Sequence, residues 1–113
     1  MEPGSKIRCV DPYSGRKFVI SFPRKWGQAN ADCDGFYSVE RRMISVRPGL
    51  SEDRMRSIVF HELVHLACSG PVASPKEGEK GLEELIVLTL EASLYPILRR
   101  NPRLTNWLFP GTV

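Results

Sequence analysis

The stretch Ser51-Glu-Asp-Arg-Met-Arg-Ser-Ile-Val-Phe-His-Glu-Leu-Val-His-Leu-Ala-Cys68 frames the reading of the whole chain. Ser51 is an N-cap by type: its hydroxyl accepts from one of the N–H groups that a helix start leaves unpaired. Glu52 and Asp53 follow in the first turn, where the helix dipole favours acids. The pattern runs unbroken to Cys68 before Ser69-Gly70-Pro71 stops it, which predicts a helix of about 17 residues. Inside it lies the run His61-Glu62-Leu63-Val64-His65, flanked by Ile58-Val59-Phe60 and Leu66-Ala67. Residues four apart sit one turn above another on the same face, so both imidazoles reach one point.

Upstream of this helix the chain reads as β. Lys6 to Val10 and Lys17 to Phe22 are β-prone runs joined by the turn formers Asp11-Pro-Tyr-Ser-Gly15, a hairpin pattern. Residues 23–34 read as a connection with room for one helical turn. Gly35 to Val39 and Met43 to Arg47 flank Glu40-Arg41-Arg42 and form a second hairpin, closed by Pro48-Gly49. Downstream, Gly70 to Gly81 carries glycines, prolines and mixed charge and reads as a mobile surface loop. A second helix is expected over Leu82 to Arg100, with Pro96 kinking or ending it. The tail Arg103-Leu-Thr-Asn-Trp-Leu-Phe-Pro110 is apolar enough to pack back on the domain.

Together these elements predict one α+β domain spanning residues 1–113: a three- to four-stranded, mainly antiparallel sheet packed on two main helices. At 113 residues and 42% apolar, the chain is the size of one globular domain with a core of its own. No apolar run reaches the roughly 18 residues of a membrane span, and no hydrophobic segment follows the polar start, so the expected location is cytoplasmic. Cys9, Cys33 and Cys68 fall at unrelated spacings, which predicts free thiols. Sixteen Lys and Arg against thirteen Asp and Glu is a mild excess spread along the sequence, not the profile of a nucleic-acid binder.

The chemistry rests on the H-E-x-x-H run. Two histidines at this spacing clamp one zinc ion, and Glu62, beside the first, is placed to take a proton from a water that the metal acidifies. The chain's only two histidines are both in this run. A catalytic zinc generally uses three protein ligands, and with no histidine left the third is expected to be an acid. An extended histidine motif would need Gly at position 68 and His at 71, where this chain has Cys68 and Pro71. In the second predicted helix, Glu83 heads a stripe continuing through Ile86, Val87, Leu90, Leu94 and Ile97, expected to face the core. Glu84 shares a wetter face with Leu88, Glu91 and Tyr95. Glu83 is therefore favoured, with Glu84 the alternative and Glu77 and Glu79 weaker candidates. Cys68 falls on the histidine face and is a lesser candidate for an extra ligand.

These residues resemble the small gluzincin-type zinc metallopeptidases, and among them the ImmA/IrrE-like domain. The resemblance spans residues 35–96, from the β-segment Met43 to Arg47, through Ile58-Val-Phe-His-Glu-Leu-Val-His65, to the acid-led helix from Glu83 to Pro96. The length is also similar to that of the minigluzincins. In the family the ligand glutamate precedes a Leu-rich helix ending in proline, and matching Pro96 to that proline again selects Glu83. The chain departs from the family at Val64, usually Gly, and at Leu85-Ile-Val, usually small residues. The resemblance implies a zincin-like fold, one zinc held by His61, His65 and Glu83, and Glu62 as general base and then general acid. It also implies that the strand Met43 to Val46 is an edge that a peptide joins by β-addition. The oxyanion partner is left open among Tyr95, Arg99 and Tyr37.

The expected function is therefore a zinc-dependent endopeptidase acting on a peptide or protein, without membrane association. The alternative is a phage or bacterial binding or regulatory protein that uses the zincin scaffold without proteolysis, its metal structural or absent. The tail around Trp107-Leu-Phe109 either covers the core or lies across the cleft as an autoinhibitory segment.

Overall fold

The computed structural model describes residues 1–12, 14–68 and 79–111, and of residues 79, 80, 83 and 84 the backbone alone. Strands β1 (Ser5–Val10) and β2 (Lys17–Phe22) pair antiparallel around the expected turn, where Asp11 N–H donates to Arg16 O and Gly15, at φ 70°, turns the chain. Strands β3 (Gly35–Ser38) and β4 (Met43–Val46) form the second hairpin. Arg42 closes its turn in the left-handed region at φ 49°.

The two hairpins join through a parallel pairing of β2 with β4, giving the order β1-β2-β4-β3. Residues 23–34, with one 3-10 turn at Gln28–Asn30, cross over the place that β4 fills to start β3 at the end where β2 stops, and β3 makes the return that lets β4 run parallel to β2. Trp26 pins this crossover: its indole N–H donates to Asn30 O (2.7 Å) and Cys33 O (3.1 Å), and its ring lies 5.4 Å from that of Phe36. This order corrects the expectation that Met43 to Val46 is an edge. Strand β4 is paired on both sides, and among the described residues the free edges are β1 and β3.

Alternation along the strands puts Ile7, Cys9, Phe18, Ile20, Phe22, Ile44 and Val46 on one face. Helix α1 (Glu52–Cys68), with the predicted bounds, packs there through Met55, Ile58, Val59, Leu63, Leu66 and Ala67. Ser51 caps it as expected, accepting from the Arg54 N–H at 3.2 Å. Gly35 marks where α1 meets β3: a Cβ there would stand 2.3 Å from Ile58 Cγ2.

The second predicted helix is three pieces: α2 (Glu79–Thr89), a π-helical turn over Leu90–Leu94, and α3 (Tyr95–Arg100). Pro96 sits in the first turn of α3. A proline lacks the N–H and crowds the carbonyl four residues back, and the wider π turn just upstream carries the chain past it without a break. The apolar stripe expected to face the core does so only at its end. Leu94 and Ile97 are buried, whereas Ile86, Val87 and Leu90 are exposed.

The tail packs back on the domain as expected, and does so as a further helix, α4 (Pro102–Leu108), which buries Leu104 and Leu108. Asn101 joins α3 to α4. Its amide accepts from Val10 N–H and donates to Val10 O, both at 2.9 Å, extending the end of β1 with a side chain. The fold is thus α+β, a four-stranded mixed sheet with helices on one face. Among the described residues no helix is long and apolar enough to cross a membrane.

Candidate functional site

Helix α1 presents its two histidines away from the sheet. The core contacts leave a flank of the helix in solvent, and His61 and His65 are both exposed on it. Their Nε2 atoms are 3.2 Å apart, with ring centroids at 4.8 Å and planes at 72°. Without a metal such a contact needs one imidazole to present its Nε2–H and the other its lone pair. Two nitrogens bound tetrahedrally to one zinc at 2.0–2.1 Å would stand about 3.3 Å apart. The separation of the two nitrogens is close to that of two ligands of one ion.

Glu62, half-buried, and His61 line a cleft of about 220 Å³ with Asp34, Gly35, Arg54, Ser57 and Ile58. The far wall is built by Asp34, just before β3. Its carboxylate takes Arg54 at 3.2 Å and Arg47 at 3.4 Å, and its carbonyl accepts from the Arg47 N–H at 2.8 Å. Arg47 also donates to Ala31 O at 2.8 Å, fixing the crossover to the end of β4. One side of the cleft is thus a helix carrying an acid and an imidazole, and the other is the start of the free edge strand β3.

Asp34, Arg54 and Ser57 were not anticipated from sequence. Arg54 and Ser57 share a flank of α1 with His61, seven and four residues earlier, so the helical spacing already contained that signal. Asp34 reaches the site only through the fold.

The remaining candidates divide. Glu83 and Glu84 lie on α2, with side chains outside the described residues, as is Glu77; Glu79 is placed by its backbone alone. Glu83 lost one of its two supports, because Ile86 and Val87 at the head of its stripe do not face the core. Among the described residues no three His, Cys, Asp or Glu side chains gather as a metal site. Cys68 and Glu91 are exposed and complete no such group. Tyr95 and Arg99 are exposed on α3, Tyr37 packs against the core, and none of the three lines the cleft. The loop expected over Gly70 to Gly81 falls largely on residues 69–78, outside the described residues.

The tail takes the other flank of α1. Trp107 Nε1 donates to Glu52, Arg56 Nε donates to Trp107 O at 2.8 Å, and the Phe109 ring meets that of Phe60. Arg56 is about 140° around the helix from His61, so residues 102–111 cover α1 away from the histidines. All three cysteines are free. Burial pushes the Cys9 thiol up to about 12, only partly opposed by Arg103, which keeps it protonated and unreactive.

No protein-family model, no curated protein and no solved structure matches the chain.

Proposed function

We propose that the chain is a zinc-dependent endopeptidase of the gluzincin type, with His61, His65 and Glu83 holding one zinc ion and Glu62 serving as general base. The observation that supports it best is the convergence of the two Nε2 atoms at 3.2 Å on the helix whose Glu62 lines the cleft. Zinc bound there would supply a Lewis acid that brings the pKa of water towards about 7.

The chain's own residues do the rest. His61 and His65 bind as neutral imidazoles through Nε2. Glu83, with Glu84 the alternative, adds a carboxylate from α2. The Glu62 carboxylate takes the proton of the attacking water as the new C–O bond forms, and returns it to the amide nitrogen as the C–N bond breaks. An extended peptide would pair with the free edge of β3 beside the cleft, the role first expected of β4.

Elemental analysis of untagged protein prepared without added metal tests this reading together with peptide hydrolysis. One zinc per chain is expected. Glu62→Gln should keep the zinc and lose about 100-fold or more of the activity, the usual size of a general-base contribution. Glu83→Ala should lose the zinc, and Glu84→Ala should not. Protein that takes up no zinc, or hydrolysis undiminished by Glu62→Gln, would favour a binding or regulatory protein on the same scaffold.

A further inference from the structure

The cations that look evenly spread along the sequence are gathered by the strand pairing. Along β1, Ile7 and Cys9 turn to the core and Lys6 and Arg8 turn outward, exposed. The register sets Arg8 opposite Val19 and Val10 opposite Lys17, so Lys17 is the diagonal neighbour of Arg8 on the same outer face. Such neighbours lie about 7–8 Å apart. Arg42 borders them, its Nε donating to Lys17 O at 3.1 Å. Among the described residues the α-helices pack on the opposite face, and the crossover around Trp26 covers this one only towards Phe36, on β3.

The ion pairs are formed elsewhere. Asp34, Glu52 and Asp53 pair with Arg47, Arg54, Arg56 and the N-terminal amine at the cleft and along α1. Among the described residues, Lys6, Arg8 and Lys17 form no ion pair. Acids border the face at its two ends: Asp11 and Glu40 in the hairpin turns, and Glu2 beside the start of β1, where its carbonyl accepts from Ser5. Val10, Val19 and Met43 lie half-buried beside the cations, whereas Ser21 and Ser45 on the same face are buried towards the side where Trp26 of the crossover packs on the outward Phe36. Like charges on adjacent positions of one face repel. The sheet gains nothing by crowding them.

We infer that the outer face of the β1–β2 hairpin is a nucleic-acid contact surface, with Lys6, Arg8, Lys17 and Arg42 meeting the phosphates of a duplex backbone. A face whose described outward residues beside the cations are aliphatic matches a partner that carries charge at every step and is bound without regard to sequence. An acidic protein, by contrast, would present its charges among other side chains and ask for hydrogen-bonding or apolar partners that this face lacks. The surface is separate from the histidine cleft, so it stands or falls independently of the zinc reading.

The test is binding of the full chain to a labelled random-sequence DNA duplex, followed from 50 to 200 mM salt. Four phosphate contacts predict a log–log slope near −3.6, a fall of about 150-fold over that range. Removing two contacts with Arg8→Gln and Lys17→Gln should flatten the slope by about 2 and weaken binding about 60-fold at 0.1 M salt. Arg99→Gln with Arg100→Gln, on the helix side, should change neither, and an unchanged thermal midpoint confirms that each variant is folded. The inference is overturned by absence of binding at 50 mM salt, by equal losses from both pairs of changes, or by polyglutamate competing as well as DNA.

Discussion

In α1, Met55, Ile58, Val59, Leu63 and Leu66 recur at helical spacing and none is more than 6% exposed. In α2, Leu82 and Ile86 recur at the same spacing, followed by Leu90 in the π turn, and all three stand between 43% and 57% exposed. The difference lies in what each helix finds beneath it. Strands of four to six residues span about 13–20 Å, and α1, about 25 Å long, lies over the β3–β4 side of the sheet. Helices α3 and α4 take the side of β1, and among the described residues α2 makes no extensive contact with a strand. Helical periodicity identifies an apolar face, but the area of sheet available decides whether that face is covered.

The sharpest way to break this comparison is to truncate one side chain in each helix. Leu63 is fully buried, and Leu63→Ala should cost about 3–4 kcal/mol through lost transfer energy and a cavity. Ile86→Ala, at a half-exposed position, should cost less than about 1 kcal/mol. Urea denaturation of both variants decides it, and equal losses would mean that α2 is docked as firmly as α1.

A second change probes how closely α1 is seated. Gly35→Ala forces a methyl into Ile58 Cγ2, so either α1 or β3 must shift, at an expected cost of about 1–3 kcal/mol. Trimming the neighbour tests the cause: in an Ile58→Ala background the same change should cost less, the remainder coming from the Ser45 carbonyl oxygen 3.1 Å from the added Cβ. A double-mutant cycle without coupling would show that the contact is looser than 2.3 Å implies. Because Gly35 and Ile58 also line the cleft, the variant should disturb that wall along with stability.

These two helices also mark how far sequence reading reaches. Within α1, the Ser51 cap, the bounds and the shared face of His61 and His65 all follow from local rules, and each was read correctly from sequence. Both hairpins were legible for the same reason, since turn residues and alternation act over a few positions. What failed needs partners distant in sequence. The parallel β2–β4 pairing depends on where a twelve-residue crossover lands, and no local signal reports that. Asp34 meets Arg47 and Arg54 only after this crossover is in place. Helix α4 was read as an apolar tail because seven residues are too few for periodicity to declare themselves, and Asn101, a residue that ordinarily ends helices, instead ties the chain to β1. The inward turn of Glu83 was argued from a stripe whose burial was assumed, and the exposure of Ile86 shows why apolar spacing alone does not license that step.

The smallest expected effect isolates the α2 face most cleanly. Replacing Leu82 and Ile86 together by Lys adds two charges on one side of a helix. Buried apolar positions do not tolerate this, because an unpaired ammonium in a core costs several kcal/mol. At half-exposed positions the long lysine stems lie along the same surface with their charged ends in water, so the change should stay within about 0.5 kcal/mol per site. The denaturant slope should also be unchanged, since no buried area is lost. A loss above about 2 kcal/mol, or a change in slope, would mean that the stripe rests against other apolar surface, and the contrast with α1 would collapse. If stability holds while solubility rises, the apolar side of α2 is a solvent-facing surface and its periodicity carries no packing information.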